Sequence, residues 1–164
     1  MTDDTNAAER LRGLLKDIST AMLITHTEAN RLHARPMAVS RAEAEDVLYF
    51  ATDIESEKVS EILANSRAHV VFQDRRRYVF LTGTVTLSKD RALVQQLWSE
   101  AWRPWFPAGN DDPSLCLIVF EPEEGEYWDE SGTNGVKALF KAAKAYATGH
   151  RPEVDERTHG KTAL

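Results

Sequence analysis

The sequence contains seven short runs rich in β-branched and aromatic residues, with turn-like segments or single helices between them. Runs in this order favour hairpin pairing, so the sheet is predicted to be mostly antiparallel. Closing a sheet of this size into a barrel would remove its exposed edges. We therefore expect a mainly β domain with flanking helices. The predicted strands span residues 21–27, 33–39, 46–51, 68–73, 78–87, 115–120 and 125–128.

Apolar residues at helical spacing predict helices around this sheet. The second predicted helix follows Thr52-Asp53-Ile54-Glu55, which fits a capping box, and carries Val59, Ile62 and Leu63 on one face. The third is expected to end at Pro104. Gly83 is predicted to mark a bend or bulge in the fifth strand. The predicted helices span residues 7–16, 55–64, 90–103 and 136–147.

The length of 164 residues, without a repeat or linker, predicts one domain over residues 1–148 and a polar, loosely held tail over 149–164. The net charge of −6 argues against nucleic acid or anionic lipid as the main partner. The acidic start and the lack of a long apolar run predict a cytoplasmic protein that does not cross a membrane.

The single cysteine, Cys116, lies in an apolar run and is expected in the core. Because the histidines lack ligand spacing, no metal site is expected.

The segment 50–58 has the composition of a phosphate site. A strand ends there, a loop carries hydroxyl groups, and a helix begins with a lysine in its first turn. Free backbone N–H groups and the helix dipole favour an anion at such a place. Thr52 and Ser56 could donate hydrogen bonds, and Lys58 supplies a positive charge. On spacing alone the simpler interpretation is favoured, in which Thr52 caps the helix and Lys58 pairs with a glutamate three residues away.

A second candidate segment is the strand His33–Val39. Arg35 and Met37 lie two residues apart and therefore share a face, which could line a planar ligand while the arginine reaches its phosphate or carbonyl edge. The alternative is a surface arginine beside Pro36 on an edge strand, and spacing alone favours that alternative.

The residues from His33 through Met37, followed by Phe50-Ala51-Thr52, Ser56 and Lys58, resemble the pyridoxamine 5′-phosphate oxidase-like proteins. The resemblance covers roughly residues 11–128. It implies an antiparallel split β-barrel that binds flavin mononucleotide (FMN), with flavin adenine dinucleotide (FAD) as the alternative, and a homodimer with the cofactor cleft at the subunit interface. The segments that resemble the general stress protein branch of this family are 105–107, 111–113 and 126–129.

The resemblance also implies roles for single residues. Arg35 would approach the flavin phosphate, while Pro36 and Met37 would lie beside the isoalloxazine ring. Thr52 would belong to the flavin-binding loop, and Ser56 and Lys58 would contact the phosphate. The residues implied at the cofactor are Arg35, Pro36, Met37, Thr52, Ser56 and Lys58.

Two positions depart from the pattern of the true oxidases or match it weakly. Glu57 stands where those enzymes usually carry an arginine, so the phosphate site loses a cation and gains an anion. Tyr78 lies near the position of a flavin-contacting glutamine. Replacement of Lys58 by alanine is expected to weaken flavin binding more than replacement of Arg41, taken as a surface cation.

Trp98, Trp102 and Trp105 recur at helical spacing and on a helix would form one aromatic stripe, although Pro104 disturbs its end. The stripe either covers a flavin ring or its substrate by stacking, or serves core and dimer packing, which is the favoured interpretation. Trp105, beside the helix-ending proline, is the member expected to reach a pocket, and we include it among the cofactor-binding residues.

The expected function is flavin binding of the general stress protein type, with weak flavin-dependent oxidoreductase activity left open. Full pyridoxamine 5′-phosphate oxidase activity is not expected, because residues 129–134 carry no cation that could hold a substrate phosphate. The catalytic residues stay unassigned. Two alternatives remain: a non-enzymatic sensor or interaction domain on the same barrel, or a barrel that holds another cofactor such as a deazaflavin or haem.

Overall fold

The computed structural model describes residues 2–41, 46–131, 139–146, 149 and 159–164. Its strands form one eight-stranded sheet. In chain order the elements are α1 (Thr2–Leu15), β1 (Thr20–His26), β2 (Leu32–Ala38), β3 (Ser40–Arg41), β4 (Leu48–Asp53), α2 (Glu57–Ala64), β5 (Arg67–Asp74), β6 (Arg77–Ser88), α3 (Arg91–Leu97), β7 (Leu115–Asp129) and β8 (His159–Ala163).

Every strand pair in the sheet is antiparallel, and the order is β2-β1-β5-β6-β7-β4-β3, with β8 on β7. The two end strands of this order, β2 and β3, are separated along the chain by Val39 alone. The Val39 N–H donates to the Ser19 carbonyl over 2.8 Å. Since one residue links the two ends, the sheet curls back on itself. The predicted mainly β, antiparallel split-barrel fold with flanking helices is confirmed.

The interior of the curled sheet is filled from alternate positions along the strands, as the period-two geometry of a strand requires. Phe50, Phe72 and Phe120 are completely buried there, and α1 covers one end with Leu11 and other leucines. A second apolar cluster lies on the opposite face of β4 and β7. It joins α3 to the segment 98–106, which holds three of the tryptophans.

The predicted strands 115–120 and 125–128 are one continuous strand, β7, so the predicted break between them is wrong. The ladder between β6 and β7 shifts register at Thr82/Gly83, where Thr82 pairs with Glu124 and Gly83 with Pro122. A bulge at this point accommodates the proline without ending the strand. The irregularity predicted at Gly83 is confirmed, although the extra residue, Glu123, lies in β7 and not in the strand of Gly83.

Helix α2 begins at Glu57, after the N-cap residue Ser56, and not at residue 55. The predicted capping box does not form, because Thr52 lies in β4 and the backbone N–H of Glu55 donates to the Asp53 carboxylate over 2.7 Å. The predicted apolar face is also wrong in part. Leu63 is 76% exposed, whereas Glu61 is 4% exposed and faces the barrel.

The predicted helix 90–103 ends early, because α3 stops at Leu97 and Trp98 adopts an extended ψ of 135°. A 3₁₀ turn over Glu100–Trp102 follows. The three tryptophans therefore do not form one stripe on a single helix, which corrects that expectation.

Arg41 is not the surface cation that the sequence suggested. Its Nη2 donates to the Ile18 carbonyl over 2.9 Å, and its guanidinium lies 5.6 Å from the centroid of the Phe72 ring. Burial lowers the pKa of Arg41. Its replacement would therefore disturb packing as well as charge.

Residues 159–163 form β8 on β7, so the expectation of a loose tail is wrong for this segment. His159 stacks on Trp128 with ring centroids 5.2 Å apart, and its Nε2 lies 2.7 Å from a Glu126 carboxylate oxygen. Residues 139–146 are helical, and the remainder of the helix predicted over 136–147 lies outside the described residues. Among the described helices, none is long and apolar enough to span a membrane.

Candidate functional site

A cleft of about 380 Å³ opens between β2, β4, the start of α2 and the segment after α3. One wall is the backbone and side chains of Pro36–Ala38, and the floor is Ala51–Asp53. Lys58 lies at one end. The facing wall is aromatic and consists of Trp102, Trp105 and Phe106. The cleft thus joins a cationic end to an apolar body, which suits a planar ligand that carries an anionic group.

The cationic end is organised by side chains from the end of β4 and the start of α2. Lys58 Nζ donates to Thr52 Oγ1 over 3.2 Å, and the hydroxyl oxygens of Thr52 and Ser56 are 3.1 Å apart. Burial lowers the pKa of Lys58, and the nearby positive charge of Arg35 lowers it further. Helix α2 begins at Glu57, beside Lys58, and the first backbone N–H groups of a helix lack partners within the helix.

The local alternative for Lys58 was an ion pair with Glu55 or Glu61. Within the described part of the chain, no ion pair joins Lys58 to either carboxylate. An ammonium has three donors, and a neutral hydroxyl satisfies one of them. Lys58 therefore has capacity for an anionic ligand in the cleft.

Arg35 is not among the residues that line the cleft and lies in a partly buried polar network. Its Nη2 donates to Glu61 Oε2 over 2.6 Å and its Nη1 to Thr25 Oγ1 over 2.5 Å. Thr25 in turn donates to Glu61 Oε2 over 2.5 Å, and His33 Nδ1 lies 2.8 Å from Glu61 Oε1. The Arg35 side chain is 14% exposed. Arg35 and Met37 share the inward face of β2, as predicted, but only Met37 lines the cleft.

Glu61 is the centre of this network. Burial acts to raise the pKa of Glu61, but hydrogen bonds from Thr25, His33 and Arg35 outweigh it and hold that pKa below its ordinary value. The sequence analysis treated Glu61 only as an alternative partner for Lys58. A glutamate between Val59 and Ile62, both of which are buried, was the available signal that it faces the barrel.

The aromatic wall is held by packing beneath it. The rings of Trp98 and Trp102 meet edge to face with centroids 5.8 Å apart, and Trp102 and Phe106 are buried. Trp105 is 73% exposed, although it lines the cleft. An exposed indole beside a cleft offers a stacking surface to a bound ring.

Most of the residues singled out in the sequence meet at this cleft. The Ser56 hydroxyl lies 3.1 Å from that of Thr52, which lines the cleft. Arg35 does not line the cleft and is paired with Glu61. Glu57 is exposed, and Tyr78 is not among the lining residues. The sequence-predicted residues that line the cleft are Pro36, Met37, Thr52, Lys58 and Trp105.

Comparison with known proteins identifies the family. The sequence profile described as "Pyridoxamine 5′-phosphate oxidase like" matches residues 6–153. General stress protein 26 of Bacillus subtilis (strain 168) is 31% identical over 84 residues, which are 47% of this chain. The aligned part spans 58% of that relative's length.

Solved structures give the same result. A proposed general stress protein 26 of Jannaschia sp. CCS1 is 25% identical, with a TM-score of 0.74, over 98% of this chain and 99% of that chain. The general stress FMN/FAD binding protein of Xanthomonas citri shares the fold at 22% identity and a TM-score of 0.67, over 78% of this chain and 92% of that one. The resemblance to the general stress protein branch is thereby confirmed. The chain belongs to the pyridoxamine 5′-phosphate oxidase-like family.

Proposed function

We propose that this protein binds a flavin, with FMN as the natural ligand, in the cleft between Pro36–Ala38 and the aromatic wall. The observation that carries the proposal is Lys58, a half-buried ammonium that lines the cleft and is bonded to the Thr52 hydroxyl. The phosphate would accept hydrogen bonds from Lys58, Thr52 and Ser56. The similar protein of Xanthomonas citri is described as an FMN/FAD binding protein, which supports the same ligand class.

The apolar body of the cleft suits the isoalloxazine ring. Pro36 and Met37 would lie along one side of the ring and Trp105 on the other. A bound flavin would supply redox chemistry, while these residues would hold and orient its ring. Arg35, tied to Glu61, would act on the phosphate by its field at Lys58 and by keeping β2 against α2. We extend the proposal to weak oxidoreductase activity, which photoreduction of the bound flavin followed by addition of electron acceptors would test.

A fluorescence titration tests the binding proposal. Free FMN is fluorescent, so we expect its emission to be quenched to a plateau at one flavin per chain when apoprotein is added. Parallel titrations with FAD and riboflavin separate the contributions of the phosphate and the ring. Absence of quenching at micromolar protein would contradict flavin binding and favour an interaction domain on the same barrel.

Replacement of Trp105 by alanine is expected to lower the affinities for both FMN and riboflavin by about two- to tenfold. Aromatic stacking contributes roughly 0.5–1.5 kcal/mol beyond the effect of buried area. Trp105 is 73% exposed, so the variant should fold normally. Trp105→Phe should retain most of the affinity, and Tyr146→Ala, at a residue 95% exposed, serves as the surface control. Unchanged affinity in Trp105→Ala would remove Trp105 from the site.

We also propose a homodimer. The outer face of the sheet carries half-exposed apolar side chains in adjacent strands: Met22 pairs with Val71, Val71 with Phe80, and Tyr78 with Trp128. An apolar face of this kind, unlike scattered single residues, marks an interaction surface. Sedimentation equilibrium is expected to give twice the 18.5 kDa of one chain. Val71→Lys should shift the mass toward one chain, and a monomeric wild-type protein would contradict the dimer.

A further inference from the structure

His33, Glu57 and Glu61 form a cluster beside the cationic end of the cleft that flavin binding does not use. One ligand atom from each of these side chains lies within 4.8 Å of the others. Glu57 and Glu61 are four residues apart on α2 and therefore share a face of that helix. His33, on β2, faces the same side, with its Nδ1 2.8 Å from Glu61 Oε1. We propose that these three side chains bind a divalent transition metal ion.

Glu61 is already oriented as a ligand. Its Oε2 accepts hydrogen bonds from Arg35 and Thr25 over 2.6 and 2.5 Å, which leaves Oε1 directed at His33. Carboxylates that coordinate metals are commonly fixed in this way by hydrogen bonds from a surrounding layer of residues. Arg35 therefore supports the site, because its contact is with the oxygen that faces away from His33.

The distances require only small side-chain movements. In a tetrahedral zinc site with bonds of about 2.0–2.1 Å, neighbouring ligand atoms are roughly 3.3 Å apart. The cluster already lies within 4.8 Å, and the His33–Glu61 pair would open by about half an ångström from 2.8 Å. Glu57 is exposed and the His33 side chain is 42% exposed, so an ion could enter from solvent.

The ligand set selects the class of ion. One imidazole nitrogen and two carboxylate oxygens suit Zn²⁺, Co²⁺ or Fe²⁺ better than Ca²⁺, which takes six to eight oxygen ligands. The two carboxylates supply negative charge to a divalent ion, although that of Glu61 is shared with Arg35. Three protein ligands leave coordination positions for water or for an anionic ligand oxygen, as in open zinc sites.

Metal titration of the untagged full chain, without flavin, tests the proposal. We expect Zn²⁺ to bind at one ion per chain by calorimetry, and Co²⁺ to develop visible absorption bands. Glu57→Gln and His33→Gln should each lower the affinity for the metal at least about tenfold. Each removes a ligand, and even the loss of a group that only orients a ligand costs about tenfold or more. Glu55→Gln, an exposed glutamate two residues away, should bind as wild type does.

Affinities equal to wild type in both Glu57→Gln and His33→Gln would overturn the site, as would a wild-type chain with no stoichiometric binding. Circular dichroism of each variant establishes that it is folded, and Glu61 is left in place because it holds Arg35. Because the titration contains no flavin, its failure would leave the flavin proposal untouched, and a failed flavin titration would leave the metal site standing.

Discussion

Lys58→Ala is expected to weaken FMN binding by about 10- to 150-fold. A hydrogen bond that involves a charged group contributes roughly 1.5–3 kcal/mol, and each 1.4 kcal/mol is a factor of ten in affinity. Lys58 lines the cleft and is bonded to Thr52, and no other described lysine lines the cleft to replace it. The dissociation constant from fluorescence titration is the measurement.

Riboflavin, which lacks the phosphate, gives the sharpest control for this variant. Its affinity should be nearly the same in wild type and Lys58→Ala, because the lost charge would face only the absent phosphate. Lys16→Ala, at an exposed lysine that is not among the residues lining the cleft, is the matched substitution and should leave both affinities unchanged. Equal FMN affinities in Lys58→Ala and Lys16→Ala would show that Lys58 is only a helix-surface cation.

The strand pattern of this fold can be predicted from sequence because its strands carry short apolar runs, which are buried on both faces in β4 and the start of β7. Phe50, Phe72 and Phe120 report that burial directly, and the runs around them predict β4, β5 and part of β7. The predicted break in β7 falls around Pro122, where a proline between acidic residues is typical of a turn. The bulge that admits this proline depends on β6, which local sequence does not specify.

Strand β8 could not be predicted for a similar reason. His159–Ala163 has no apolar alternation, and it forms a strand because β7 offers it a free edge. The same limit applies to α2, where spacing assigned Leu63 to the buried face. Glu61 is buried instead because β1 and β2 bring Thr25 and Arg35 to it. Contacts with other elements of the fold therefore determine both that β8 is a strand and that Glu61 is buried.

The residues of the candidate site could be predicted from the sequence only in part. The position of Lys58 in the first turn of a helix after a strand is a local pattern, and the structure places Lys58 in the lining of the cleft. The pairing of Arg35 with Glu61 was not visible, because it joins a strand to a helix across 26 positions of the chain. The cluster of His33, Glu57 and Glu61 was missed for the same reason, since His33 lies on β2 and both glutamates lie on α2.

Gly83→Ala is expected to destabilise the protein by at least about 2–3 kcal/mol, near the upper end of the range for overpacking. A Cβ at this position would lie 2.1 Å from the Glu121 carbonyl oxygen and 3.0 Å from its carbonyl carbon. These are backbone atoms of the paired strand β7, so they cannot rotate away as a side chain could. For a domain of this size, such a loss corresponds to a fall in Tm of roughly 5–10 °C, measurable by calorimetry.

Gly13→Ala is the matched control, since it makes the same substitution with the opposite expected sign. Gly13 lies within α1, and a Cβ there would meet nothing within 4 Å. Alanine stabilises an exposed helix interior by roughly 0.8–1.0 kcal/mol relative to glycine, so the Tm should rise by a few degrees. If Gly83→Ala instead melted at the wild-type temperature, β6 and β7 could separate at the bulge without cost. The close approach of these two strands at Gly83 would then not contribute to the stability of the barrel.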